Sequence, residues 1–254
     1  MKVLGIESSC DETAAAVVED GRTILSSVVA TQIPFHEAYK GVVPEIASRK
    51  HTEWILPVVK TALQEAGETL QSIDGIAVTN RPGLMGSLLV GLTFAKTLAW
   101  ACNKPFIAVN HMLGHLYAAH LEQDIPYPYL GLLVSGGHSL ICKVYDFDSI
   151  EVLGSTIDDA PGEAFDKVAK FYDFGYPGGV IIDRLAKNGD PKAANFPMPV
   201  LHESGRRYDV SYSGLKTAVI NQIDQFWNPG YEKTPENIAA AFQSRAVKIL
   251  LRSL

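Results

Sequence analysis

Two histidines, His111 and His115, stand four residues apart in the stretch Asn110-His111-Met112-Leu113-Gly114-His115. On a helix that spacing puts both imidazoles on one face with Cβ atoms roughly 6 Å apart, a spacing that can chelate one metal ion. The run Phe106-Ile107-Ala108-Val109 reads as a buried strand and Asn110 as an N-cap, so His111 belongs in the first helical turn. The positive end of the helix dipole favours neutral imidazole there, the form that donates a lone pair to a metal. Gly114 leaves the shared face open, whereas His120 has turned about 180° away from His111. The pair also has a purely structural reading. Position 112 is Met, so the base-carrying His-Glu-x-x-His of zinc proteases is absent, which counts against metalloproteolysis.

Four further stretches carry candidate chemistry. In Glu7-Ser8-Ser9-Cys10-Asp11-Glu12-Thr13, hydroxyls and main-chain N–H groups can hold phosphate oxygens, while Asp11 and Glu12 can orient a hydrated cation or accept a proton; the alternative is a capped hairpin. In Val134-Ser135-Gly136-Gly137-His138, paired glycines between apolar runs let a ligand approach the main chain, or simply close a tight turn. An acidic turn from Asp158 runs into a helix on which Glu163 and Asp166 share a face; they could meet ribose hydroxyls or merely complement the dipole. Tyr176-Pro177-Gly178-Gly179 opens another helix, with Asp183 one turn inside it, in the manner of anion- and nucleotide-holding turns. Arg206, Arg207 and Lys216 cluster around Tyr208 and Tyr212, compatible with RNA contacts or with a solvated loop. Gly41 to Glu45 and Arg49 to His51 read as a partner surface or an ordinary helix start.

The elements that must position these groups alternate in type. Strands are expected at Val3 to Ile6, Ala14 to Val18 and Thr23 to Ala30 as an antiparallel meander. A helix over His51 to Ala66, a strand over Gly75 to Thr79, a long helix over Met85 to Ala101, another strand and the histidine helix complete βββαβαβα. The turn-rich stretch Asp124 to Pro128 predicts a boundary, giving lobes 1–127 and 128–254. After it the strand, small polar loop, strand unit of Leu4 to Val18 returns at Leu132 to Val144. This duplication predicts an α/β, two-lobed actin-like ATPase fold of the ASKHA, ribonuclease-H-like class: duplicated βββαβα lobes, the second incomplete, closing on a nucleotide through the two hairpin loops. No G-x-x-x-x-G-K-[ST] occurs, which excludes a P-loop protein.

Bulk properties agree with a globular protein: 254 residues, 47% hydrophobic and 20% charged. A formal charge of −6 means that any nucleic-acid contact needs a local patch or a partner. Cys10, Cys102 and Cys142 lie far apart, which favours a reducing compartment over a disulfide framework. The start reaches Glu7 too soon for a secretory signal, and the apolar run from Leu88 to Cys102 is broken by Gly91 and Lys96, as in a core helix. A soluble cytoplasmic protein with no membrane association is expected.

Taken together, Glu7 to Thr13, Arg81-Pro82-Gly83, Asn110 to His115, Val134 to His138, Gly162 to Lys167 and Tyr176 to Gly179 closely resemble the TsaD family, bacterial relatives of the archaeal and eukaryotic Kae proteins. The resemblance covers the whole chain. It implies the actin-like fold and transfer of a threonylcarbamoyl group from threonylcarbamoyl-AMP to the exocyclic amine of the adenosine 3′ of the anticodon, in tRNAs reading codons that begin with A. It also implies that His111 and His115 are ligands of one divalent metal, iron or zinc, and that Val134, Ser135, Gly136, Gly137, His138, Asp166, Gly179 and Asp183 bind the adenylate. Asp11 is the candidate for orienting the attacking amine or accepting its proton. Implied partners are tRNA, a TsaB-like paralogue and a TsaE-like ATPase, with assembly as a homodimer or heterodimer. Two other readings stand beside this one: a non-catalytic scaffold paralogue, and the metal-dependent endopeptidase of an older family label. From Thr234 an amphipathic helix with Ile238, Phe242, Ile249 and Leu250 spaced for burial runs to Leu254, so the sequence is expected to break off inside an element. Family members continue further, and the resemblance implies that the continuation holds an Asn of the nucleotide site and the Asp completing the metal site.

Overall fold

In the computed structural model, which describes residues 1–199 and 207–254, the chain divides into two compact units, Met1–Ile125 and Pro126–Leu254. Each has its own apolar core.

Unit 1 begins with the meander β1 (Lys2–Glu7), β2 (Glu12–Glu19) and β3 (Thr23–Thr31). A short helix α1 (Ile33–His36) and a 3₁₀ turn (Glu37–Tyr39) lead to α2 (Pro44–Glu65). Then follow β4 (Gly75–Arg81), α3 (Met85–Ala101), β5 (Phe106–Asn110) and α4 (His111–Glu122). The sheet order is β3-β2-β1-β4-β5, with the meander antiparallel and β1, β4 and β5 mutually parallel. Such parallel neighbours require crossovers, which α2 and α3 provide. Along β1, Leu4 and Ile6 are buried in the core shared with α2 and α3, so the two-residue period turns Gly5 and Glu7 to the opposite face.

Helix α2 starts at Pro44, earlier than the expected His51, because proline is preorganised for the first helical position and lacks only an N–H that would have no helical partner. Arg49 to His51 therefore lie within the helix, and His51 is buried. Helix α3 packs on the core along one face, as expected of a core helix. Its buried stripe is Ser87, Gly91, Ala95 and Ala99, whereas Met85 and Trp100 are 76% and 85% exposed. Small residues bring this helix close to the sheet, Val90, Leu92, Phe94 and Leu98 pack at the edge of the core, and Met85, Leu89 and Trp100 face outward. No helix among the described residues is long and apolar enough to cross a membrane.

Unit 2 opens on an antiparallel sheet of β6 (Tyr129–Val134), β7 (Ser139–Asp146) and β8 (Ser149–Ser155) in that order. Helices α5 (Pro161–Phe171), α6 (Gly178–Ala186), α7 (Ser213–Asn221), α8 (Ile223–Phe226) and α9 (Pro235–Ser253) follow. The β-β hairpin at the head of unit 1 thus recurs at the head of unit 2. The core gathers Ala164 and Val168 of α5, Ile182 of α6, Leu215 of α7 and Phe242 of α9 around the fully buried Tyr212 and Phe196. Ile238, Phe242 and Ile249 are buried as the spacing of α9 predicts.

Candidate functional site

In unit 1, β5 delivers the chain into α4, and the Asn110 side-chain oxygen accepts the Met112 N–H at 2.9 Å. This cap starts the helix at His111. The Nε2 atoms of His111 and His115 lie 3.0 Å apart, with the rings nearly perpendicular at 87°. Two nitrogens each about 2.1 Å from one ion stand roughly 3.0 to 3.4 Å apart, so the pair fits the bite of a divalent metal. Among the described residues no set of three His, Cys, Asp or Glu side chains is placed to hold an ion. His120 lies apart from the pair, its ring centroid 5.7 Å from that of Tyr117, and Met112 is buried.

The other nitrogen of His111 faces the sheet. Its Nδ1 lies 3.2 Å from Glu7 Oε2 and 3.3 Å from Ser9 Oγ. Glu7 ends β1 and also accepts the Ser9 N–H and the Thr79 hydroxyl. Burial pushes the Glu7 carboxyl up, but the hydrogen bonds from His111, Ser9 and Thr79 outweigh it and hold the group at about 2. The sequence marks Glu7 as the first residue of the polar stretch Glu7 to Thr13 and gives it no role of its own; its meeting with His111 depends on β1 and β5 ending at the same edge of the sheet.

The β1–β2 loop carrying Asp11 is fastened from below. Ser8 Oγ donates to the Ser87 carbonyl at 2.9 Å, and Leu84 N–H donates to the Ser9 carbonyl at 2.8 Å. His51 of α2 reaches Thr13 Oγ1 at 2.8 Å with Nδ1 and the Cys10 carbonyl at 3.0 Å with Nε2. Asp11 is half-buried, and its carbonyl accepts the Gln32 N–H at 3.0 Å. Burial, with Asp11 and Glu7 nearby, raises the Glu12 carboxyl. The role of His51 is absent from the motif reading, although its place on the buried face of α2 with Ile55, Val58 and Ala62 was available as a signal.

In unit 2 the loop Val134 to His138 is a closed turn. Ser135 N–H donates to the His138 carbonyl at 2.9 Å and His138 N–H to Ser135 Oγ at 3.1 Å. Helix α5 begins against this loop: Gly162 and Glu163 N–H groups donate to the Ser135 and Gly136 carbonyls at 3.3 and 2.9 Å. A Cβ on Gly162 would come within 2.6 Å of Gly136 Cα, so only glycine permits this approach, while Gly136 and Gly137 themselves face open space. Asp166 Oδ1 accepts the Gly178 N–H at 2.7 Å. The expected anion-holding start of α6 is thus occupied at its first amide by Asp166, whereas Gly179 faces open space. Asp183 accepts Gln243 Nε2–H at 3.0 Å and pairs with Lys187 at 3.0 Å, and these partners lower its carboxyl. Loop, α5, Asp166 and the α6 start form one connected set, with Asp183 a turn further along α6.

The basic cluster is corrected. Lys216 and Lys167 each lie 2.6 Å from an oxygen of the buried Asp159, and Tyr212 is fully buried with its hydroxyl donating to the Ala246 carbonyl at 3.1 Å. Its first tyrosine does face a cation, with the Arg207 guanidinium 5.5 Å from the Tyr208 ring, and Arg206 lies outside the described residues. Lys216 and Tyr212 are spent on the core, so neither offers an RNA surface. Asp158 accepts the Tyr212 and Ser213 N–H groups at 2.8 and 3.2 Å and thereby starts α7.

Comparison with known proteins bears on the family of the chain. The family model described as TsaD, tRNA N6-adenosine threonylcarbamoyltransferase, matches residues 23–254. A Treponema denticola protein named tRNA N6-adenosine threonylcarbamoyltransferase is 83% identical over 254 residues, covering 100% of this chain and 75% of that protein. The protein of that name from Treponema pallidum subsp. pallidum is 68% identical over 254 residues, covering 100% of this chain and 72% of its own. Among solved structures, Acidaminococcus fermentans (R)-2-hydroxyglutaryl-CoA dehydratase component A superposes with a TM-score of 0.52 at 14% identity, over 99% of this chain and 78% of that one. That likeness concerns the fold alone and accords with the actin-like ATPase class. With the family model matching nearly throughout and close relatives covering every residue, the chain belongs to the TsaD family, the tRNA N6-adenosine threonylcarbamoyltransferases.

Proposed function

We propose that this chain performs the acyl-transfer step of tRNA threonylcarbamoylation, taking the threonylcarbamoyl group from threonylcarbamoyl-AMP to the exocyclic amine of the adenosine 3′ of the anticodon. The family activity is threonylcarbamoyl transfer to tRNA adenosine N6. The observation that best supports the finer reading is the His111–His115 pair, whose Nε2 atoms stand 3.0 Å apart in a family that depends on a metal. His111 and His115 would hold an iron or zinc ion, which when bound supplies Lewis acidity to polarise or position a carbonyl oxygen.

The remaining roles belong to the chain's own groups. The amine attacks the carbamoyl carbon, the bond from that carbon to the phosphate oxygen breaks, and AMP leaves with the electron pair. The nitrogen then gives up one proton, and Asp11, on a loop anchored by Ser8, Ser9 and His51, is assigned to accept it or to orient the amine. Val134 to His138, Asp166, Gly179 and Asp183 are assigned to the adenylate; the open space beside Gly136, Gly137 and Gly179 supports close approach of a ligand to the main chain. The outward apolar groups of α3, Met85 and Leu89, with Leu56 of α2, supply a surface of the kind a protein partner covers, here assigned to a TsaB-like paralogue. A TsaE-like ATPase and tRNA complete the assembly. The free thiols Cys10, Cys102 and Cys142 suit the cytoplasm.

The test supplies the purified protein and its native partners with threonylcarbamoyl-AMP and tRNA, and follows the modified nucleoside by mass spectrometry. Modification is expected, with Asp11→Asn slowing it by about 10²- to 10⁴-fold. No modification of tRNA from the supplied adenylate overturns the reading. Peptide release by the metal-loaded protein would instead favour the endopeptidase, and undiminished modification after replacing both histidines by Ala would favour the scaffold.

A further inference from the structure

One carboxylate in unit 1 is held in place by more groups than a strand end requires. Glu7 Oε1 accepts the Ser9 N–H, and Oε2 accepts the Thr79 hydroxyl while lying 3.2 Å from His111 Nδ1. Its donors come from three places in the chain: the β1–β2 loop, β4 and the first residue of α4. Because β1, β4 and β5 are parallel, all three strands end at one edge, and that edge brings Glu7 to a histidine 104 residues away.

An ionised carboxylate only accepts hydrogen bonds. The proton between Glu7 and His111 therefore sits on Nδ1, which leaves the lone pair of His111 on Nε2, the atom 3.0 Å from His115 Nε2. Metal-binding imidazoles commonly give their second N–H to a carboxylate, which fixes tautomer and ring orientation. We propose that Glu7 is the positioning residue of the His111–His115 pair, accepting the Nδ1–H of His111 so that its Nε2 lone pair is presented beside that of His115. The inference rests on reading both histidines as ligands. It adds that β1 takes part in the centre without touching the ion.

Glu7→Gln tests it with little change of shape. The amide oxygen of the variant side chain can still accept the Ser9 N–H, but the amide NH₂ now faces His111 Nδ1, which must become an acceptor, and the ring proton moves to Nε2. Zn²⁺ affinity of the folded variant, measured against a competing chelator, is expected to fall about 10- to 100-fold. The spectroscopic signature is the His111 ring-nitrogen pattern in ¹H–¹⁵N spectra of the metal-free protein: protonated Nδ1 in the parent and protonated Nε2 in Glu7→Gln. The parent spectrum alone suffices should the variant not fold. A parent His111 protonated on Nε2, or a folded Glu7→Gln protein with unchanged tautomer and Zn²⁺ affinity, overturns the proposal. His111→Ala and His115→Ala separate the two levels: if neither weakens Zn²⁺ binding the ligand reading itself fails, whereas weakening by these but not by Glu7→Gln removes only the role of Glu7.

Discussion

At the scale of single residues, the β1–β2 loop that carries Asp11 depends on a histidine that the motif does not contain. His51 is fully buried and satisfies both the Thr13 hydroxyl and the Cys10 carbonyl. Replacing it by Ala leaves those groups without partners, and the expected loss is about 2 to 4 kcal/mol in chemical denaturation. Burial, opposed by the Cys10 carbonyl and by Glu7 and Asp11, places the His51 imidazole below its ordinary 6.5. Below that pH the unfolded chain binds a proton that the folded chain still refuses, so stability declines as pH falls from 6.5 toward the lowered folded value. The slope contributed by this group is at most about 1.4 kcal/mol per pH unit. Denaturation midpoints of the parent and of His51→Gln, compared from about one pH unit above the ordinary histidine value to about one below it, check this, and the variant should show a shallower decline.

Between elements, contacts are set by glycines and one buried acid. A Cβ on Gly91 of α3 would meet Ser8 Oγ at 2.2 Å, and Ser8 cannot easily give way because it is buried and bonded to the Ser87 carbonyl. Gly91→Ala is therefore expected to cost about 1 to 3 kcal/mol and to shift the loop that carries Ser9 and Asp11, read as lost stability together with reduced transfer activity. In unit 2, Asp159 ties α5 to α7 through Lys167 and Lys216. Asp159→Asn should destabilise by about 1 to 3 kcal/mol. Lys216→Ala should likewise lower the unfolding midpoint while leaving tRNA affinity unchanged, in contrast to what an RNA-facing lysine would do. The glycine turns and the acidic helix start were legible as local signals. That Gly162 packs on Gly136, or that Asp166 occupies the first amide of α6, was not, because each is a meeting of segments well separated along the chain.

For the molecule as a whole, a net charge of −6 and a basic cluster partly spent on Asp159 leave little electrostatic attraction for a polyanion. The protein alone is expected to bind tRNA weakly, with a shallow salt dependence, and binding should strengthen on addition of its partners; fluorescence anisotropy across a salt series checks both statements. The sequence by itself determined much of the architecture and the chemistry in prospect. Period-two and period-3.6 patterns define the strands and most helices, and Asn110 before a histidine pair at helical spacing places two imidazoles on one face, since such patterns depend only on neighbours along the chain. Tertiary structure alone decided which groups stand behind those imidazoles. Glu7, Thr79 and His111 meet because parallel strands β1, β4 and β5 align their ends at one sheet edge, and strand order arises from packing α2 and α3 on the sheet, a long-range outcome that no local spacing encodes.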